Sequence, residues 1–133
     1  MRRDLPLQEL AGFLDRANIA VLATLRIDRS VLLSPVWYEW RDGGFNVPTS
    51  GDDVKVRHLS RDRRATIVVA EQTPPYTGVE VRGEARILRD GARDIASRVA
   101  ARYDDVAQDD AIIRLEPGVV RAWDFADQYP KAF

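Results

Sequence analysis

The chain has 133 residues and a net charge of −1, with 20 Lys and Arg set against 21 Asp and Glu. That length suits one domain with an ordinary core, and the near-neutral balance excludes a general nucleic-acid binder, which needs a surplus of positive charge. There is no cysteine and a single histidine, His58, so disulfides, thiolate chemistry and two-histidine metal sites are excluded within one chain, and redox chemistry would have to come from an organic cofactor.

The opening Met1-Arg2-Arg3-Asp4-Leu5-Pro6 has no long apolar stretch behind it, so no signal peptide is expected. No run approaches the roughly 20 apolar residues that span a bilayer, and a cytoplasmic protein is the expectation. Leu7, Leu10, Ala11 and Leu14 recur at helical spacing and predict a helix over residues 6–17. Ile19 to Leu25 is apolar and β-branched and reads as a buried strand. Asp28-Arg29-Ser30 is a turn, and Val31 to Trp40 a second, longer strand. Asp42-Gly43-Gly44 marks a hairpin that returns through Phe45, Asn46 and Val47.

Ser50 then reads as a helix cap, with Asp53 three residues later, for a helix running to about Asp62. Ala65 to Ala70 is a fourth strand. Gln72 to Tyr76 is a loop. Val79, Val81, Gly83, Ala85 and Ile87 alternate with charged residues in a fifth strand with one wet face. Ala92 to Tyr103 is helical. Ile112 to Leu115 and Val119 to Phe125 read as two last strands around a Pro117-Gly118 turn. Short connections make the sheet antiparallel, and closure into a small barrel removes sticky edges. The expectation is a mainly β single domain over 1–133, with six to seven strands and a few flanking helices.

Two segments carry functional signals. The strand at 31–40 is apolar on both faces, with Val31, Leu33, Pro35 and Trp37 on one and Leu32, Val36, Tyr38 and Trp40 on the other. Either a helix covers its outer face, or a second subunit or a flat ligand does. In Thr49-Ser50-Gly51-Asp52-Asp53-Val54-Lys55-Val56-Arg57 a strand ends in small polar residues and a helix opens with two cations, an arrangement suited to a phosphate. Asp52 and Asp53 would repel that phosphate if aimed at it. His58 receives no role. Asp104-Asp105 and Asp109-Asp110 lack the spacing of a calcium loop and read as helix-end charges.

Taken in order, Ser34-Pro35-Val36-Trp37-Tyr38, Asp42-Gly43, Lys55-Val56-Arg57-His58-Leu59, Arg64-Ala65-Thr66-Ile67, Val79 to Ala85 and Val120-Arg121-Ala122-Trp123-Asp124-Phe125 resemble the pyridoxamine 5′-phosphate oxidase-like superfamily. The Pro-Val-Trp-Tyr run and the Trp-Asp-Phe ending are most similar to members that use the deazaflavin coenzyme F(420). The resemblance implies a split β-barrel homodimer with a cofactor groove at the dimer interface. Carried over by position, Lys55 and Arg57 would hold the cofactor phosphate, helped by Thr49 and Ser50. Ser34, Pro35, Val36 and Trp37 would lie along the ring, and Trp123 and Asp124 would approach near the interface. It implies hydride transfer between F(420) and an unsaturated small molecule of enone, quinone or tetrapyrrole type. FMN as the cofactor, or a carrier without turnover, are the alternatives. No side chain stands out as a catalytic acid or base, and no metal, membrane or nucleic-acid partner is implied.

Overall fold

Period-two alternation of Val, Ile, Leu and Ala with charged residues dictates a sheet with one buried face, and that sheet organises the molecule. The structure, a computed structural model, describes residues 1–10 and 12–129. In chain order its elements are β1 (Arg2–Arg3), a short 3-10 turn (Leu7–Leu10), β2 (Ala20–Leu25), β3 (Val31–Val36), β4 (Glu39–Arg41), β5 (Gly44–Thr49), α1 (Val54–Arg61), β6 (Arg64–Ala70), β7 (Gly78–Leu88), α2 (Ala92–Ala101), β8 (Ala111–Asp124) and a final 3-10 turn (Ala126–Gln128). Every strand pair is antiparallel, in the order β3-β2-β6-β7-β8-β5-β4, with β1 added to β8.

The two ends of this path, β3 and β4, are consecutive in the chain and separated only by Trp37 and Tyr38. Three Cα steps of about 3.8 Å cannot span more than about 11 Å, so the sheet must curl until its ends meet. The barrel is therefore joined at this seam by the chain itself rather than by a ladder of hydrogen bonds, which is a split β-barrel. Its interior is filled by Leu22, Ile67, Val69, Val79, Val81, Phe45, Val47, Ile113 and Leu115, all fully buried. α1 packs on β2 and β7, burying Val56, His58 and Leu59, and α2 packs on β5 and β8 through Ala92 and Ala96 against Ile112. Among the described residues no helix is long and apolar enough to cross a membrane.

The local expectations are corrected at several points. Residues 6–17 form a 3-10 turn over Leu7–Leu10 and further turns, not one helix; Ala11 of the predicted stripe lies outside the described residues. Gly12 takes a φ of +85°, which a continuous helix does not allow. The strand at 31–40 breaks at the seam into β3 and β4. β3 is an edge strand, and no helix covers its outer face, as the exposure of its side chains shows. Val31 and Leu33 are 50% and 64% exposed, on the same outer face as Val21, Ala23 and Leu25 of β2. α1 is capped by Asp53, whose Oδ1 accepts the Lys55 N–H at 2.9 Å, rather than by Ser50. α2 ends at Ala101, short of Tyr103.

Pro117-Gly118 is no turn. β8 runs unbroken from Ala111 to Asp124, and the pairing with β7 shifts register between Arg82 and Gly83, with Pro117 opposite Gly83. Proline has no N–H to give, and the bulge removes the need for one. β7 can pass this close only because position 83 is glycine: a Cβ there would lie 1.9 Å from the Glu116 carbonyl oxygen.

A buried polar cluster ties the β4–β5 hairpin to the rest. Glu39, 4% exposed, accepts the Asn46 amide at 2.9 Å and a two-point clasp from Arg98 of α2. Arg114 of β8 donates to the carbonyls of Arg41 and Asp42 at 2.8 and 2.9 Å, which holds the hairpin turn. Burial alone would raise the Glu39 pKa, but Arg98 and Asn46 outweigh it and hold the carboxyl below its ordinary value.

The bulge gives a direct test. Gly83→Ala should lower stability by about 1–3 kcal/mol, the usual range for overpacking, read as a fall in the urea midpoint at unchanged slope. A midpoint equal to that of the parent would mean that the β7–β8 crossing is not close.

Candidate functional site

The seam and the β5–α1 corner face a single cavity of about 420 Å³. Its apolar wall is Ile19, Pro35, Val36 and Trp37, and its polar end is Thr49, Ser50, Asp53 and Lys55, with Asp109 entering from the segment before β8. β3 places Pro35 and Val36 there because it is the edge strand and nothing pairs beyond it. Pro35 offers no N–H that an unpaired edge would leave unsatisfied.

Trp37 is held rather than loose. Its indole stacks on Tyr103, with ring centroids 4.9 Å apart and planes 7° from parallel. The Tyr103 hydroxyl donates to the Asn18 carbonyl at 2.8 Å and accepts the Tyr38 backbone N–H at 3.2 Å. Burial raises the Tyr103 pKa, so the hydroxyl stays protonated at neutral pH. Arg102 adds bonds to the carbonyls of Tyr38, Asp15 and Arg16, which fastens the seam to the segment before β2.

The polar end is crowded with carboxylates. Asp53 Oδ1 accepts Lys55 Nζ at 2.9 Å as well as its backbone N–H. Burial pushes the Asp53 pKa up, but the two Lys55 donors outweigh it, and the group stays ionised. Ser50 Oγ donates to Asp52 Oδ1 at 2.5 Å, and the Gly51 N–H donates to Asp110 Oδ1 at 2.7 Å.

The residues singled out from sequence divide accordingly. Pro35, Val36, Trp37, Thr49, Ser50 and Lys55 share the cavity. Ser34 sits half-buried on β3 opposite Leu22, just ahead of that wall. Arg57 is on the exposed side of α1 and donates to the Asp52 carbonyl at 3.1 Å, outside the lining. Trp123 and Asp124 are at the far end of β8. Trp123 lies against Gly78, where a Cβ would meet the indole at 2.3 Å, and Asp124 is ion-paired with Arg2 of β1. Within one chain these two do not reach the cavity.

Sequence reasoning missed Ile19, Asp109 and the support from Tyr103. Asp109 carries no periodic signal because it lies in an irregular segment. Tyr103 follows a helical stripe and so reads as packing. A second, open concavity of about 800 Å³ adjoins the first through Ile19, between residues 16–19 and the loop around Thr73 and Pro74. Asn18 borders it, and its Nδ2 is a buried polar atom without a hydrogen-bond partner.

His58 lies outside both. It is 6% exposed and its Nδ1 is bonded to Thr24 Oγ1 at 2.9 Å. Burial, then the nearby Arg61, Arg26 and Arg57, lowers its pKa below the ordinary 6.5. The unfolded chain therefore takes up the proton first as pH falls. Stability should be level above about pH 6.5 and decline below it. With one histidine in the chain, His58→Gln should flatten this limb in thermal melts between pH 8 and 5. An unchanged slope in that variant would assign the effect elsewhere.

A family model described as pyridoxamine 5′-phosphate oxidase matches residues 7–124. Among solved structures, one described as an F420 reductase superposes with a TM-score of 0.73 at 22% identity, over 82% of this chain and 93% of that one. A conserved hypothetical protein, Rv2991, from Mycobacterium tuberculosis gives 0.80 at 23%, over 94% and 88%. A putative pyridoxamine 5′-phosphate oxidase from Listeria innocua gives 0.70 at 16%, over 86% and 95%. At these identities the likeness is one of fold. No protein of curated function matches the chain.

Proposed function

The chain belongs to the pyridoxamine 5′-phosphate oxidase family, and from that premise we propose that it is a cytoplasmic oxidoreductase that transfers hydride between coenzyme F(420) and an unsaturated small molecule. The observation that carries this reading is the cavity at the seam: a pre-stacked indole and an apolar wall meet a corner of small polar residues and one lysine. The residues present suit a flat ring. Trp37 and Val36 would lie along it, Ile19 and Pro35 would keep water from one side, and Thr49, Ser50 and Lys55 would hold its side chain.

When bound, the deazaflavin supplies the hydride, so the chain need only bind and orient. Trp37, fixed by Tyr103, sets the plane against which an acceptor double bond must stack to reach near-attack distance. The donors on the lining are the Thr49 and Ser50 hydroxyls and the Lys55 ammonium. Lys55 sits beside the charge that the acceptor would develop only if the acceptor enters from the polar end. From the side of Ile19, the second concavity is the approach.

The exposed apolar face of β3 and β2 supports a homodimer, the cover that Val31 and Leu33 lack within one chain. Sedimentation should give a dimer at micromolar concentration, and Leu33→Asp should shift it to monomer with the fold retained by circular dichroism. A stable parent monomer would sink the dimer.

Titration with F(420) and FMN, followed by assay against enone, quinone and tetrapyrrole acceptors, tests the function. F(420) should bind and be turned over. Binding without turnover would make the protein a carrier, and failure of both cofactors to bind would overturn the reading. Lys55→Ala should weaken F(420) by about tenfold or more, the worth of a charge-assisted hydrogen bond, whereas Arg57→Ala should have little effect. Trp37→Ala should weaken the intact cofactor and its ring fragment alike.

A further inference from the structure

We propose that Asp53, with Asp109, sets the charge that the polar end of the cavity accepts: a singly charged phosphodiester is admitted, and a doubly charged phosphomonoester is disfavoured. This rests on the cofactor reading above and adds to it a selection by phosphate charge.

The charged groups placed to hold a phosphate, and the Ser50 hydroxyl, already have partners within the chain. Lys55 Nζ is ion-paired with Asp53 at 2.9 Å, and its side chain is only 14% exposed. Most N–H groups at the start of α1 are engaged too, Gly51 by Asp110, Asp53 by the Ser50 carbonyl, and Lys55, Val56 and Arg57 by the side chain or carbonyl of Asp53. Ser50 donates to Asp52, and Arg57 turns to the Asp52 carbonyl. Among the described residues the lining thus offers one cation, Lys55, against two carboxylates, Asp53 and Asp109.

An incoming phosphate has two routes. It can share Lys55 with Asp53, or displace Asp53 and leave that carboxylate unpaired beside it. The Coulomb penalty on either route scales with the charge of the phosphate. A phosphomonoester such as that of FMN is close to a dianion at neutral pH. The phosphate of F(420) is a diester and carries one charge. Asp53 is held ionised by its Lys55 donors, so it remains a repelling group across the neutral range.

The test uses one ring with three side-chain charges: riboflavin, FMN methyl ester and FMN, titrated by fluorescence against the parent, Asp53→Asn and Asp109→Asn. Asparagine still caps a helix, so α1 keeps its start. F(420) and its phosphate-free ring fragment are titrated alongside. In the parent, FMN should bind more weakly than its methyl ester. Asp53→Asn should strengthen FMN by about tenfold, the methyl ester less, and riboflavin not at all. Asp109→Asn should act in the same direction. Equal affinities for FMN and its methyl ester in the parent, or equal gains for all three flavins in Asp53→Asn, would overturn the charge selection while leaving the cofactor reading intact. Failure of every ring compound to bind any variant would overturn both.

Discussion

The two-residue passage from β3 to β4 is the constraint on which the rest of the molecule depends. Because Trp37 and Tyr38 alone separate the first and last strands of the sheet, the sheet has to close, and the closure lacks a hydrogen-bonded ladder. Side chains must therefore supply the cohesion there. Tyr38 is fully buried and donates its hydroxyl to the Arg16 carbonyl at 2.9 Å, and Arg102 lies 5.4 Å above its ring. Trp37 faces the other way and becomes a wall of the cavity. The same gap in the ladder that would weaken the barrel opens the cavity.

The polar groups near the cleft follow a common pattern. Charges inside the molecule are matched by partners that the fold brings in from other elements, as Glu39 is by Asn46 of the paired strand and Arg98 of α2. Glu39 is buried while Arg98 is 41% exposed, so removing Arg98 would leave a buried carboxylate held by Asn46 alone, and the clasp restrains the hairpin against α2. The start of α1 differs. Its cation and carboxylate lie two residues apart and stay partly open to the cavity, so their pairing can respond to a ligand without disturbing the core.

Much of the barrel is legible in the sequence where a side-chain period and a turn signal agree. β7 is plain from its alternation, and the β4–β5 hairpin from Asp42-Gly43, whose φ values of +52° and +73° are those that these residues tolerate. Legibility ends where tertiary context overrides local pattern. Leu7, Leu10 and Leu14 keep helical spacing but pack on the core from a chain of turns. Pro117 reads as a turn and is a strand bulge, because nothing local records that Gly83 lies opposite. In the candidate site, the run from Pro35 to Trp37 and the corner from Thr49 to Lys55 are recoverable because each is contiguous. Asp109 is not, since only the folded chain brings it to the cavity. The direction of Asp53 was open too, as a cap residue can point its carboxylate along the helix or away from it.

The seam also distributes the entropy of folding unevenly. Bringing β3 and β4 together closes almost no loop, because the chain between them is two residues long. Pairing β5 with β8 requires the whole stretch from Thr49 to Ala111 to fold back on itself, and pairing β2 with β6 requires the stretch from Ala23 to Thr66. Loop-closure entropy grows with the logarithm of that length, and non-local strand pairs are the slow events in β-rich domains. The burden of assembling this barrel thus falls on the pairings that flank the seam rather than on the seam itself, and the cleft takes shape only once those distant strands have met.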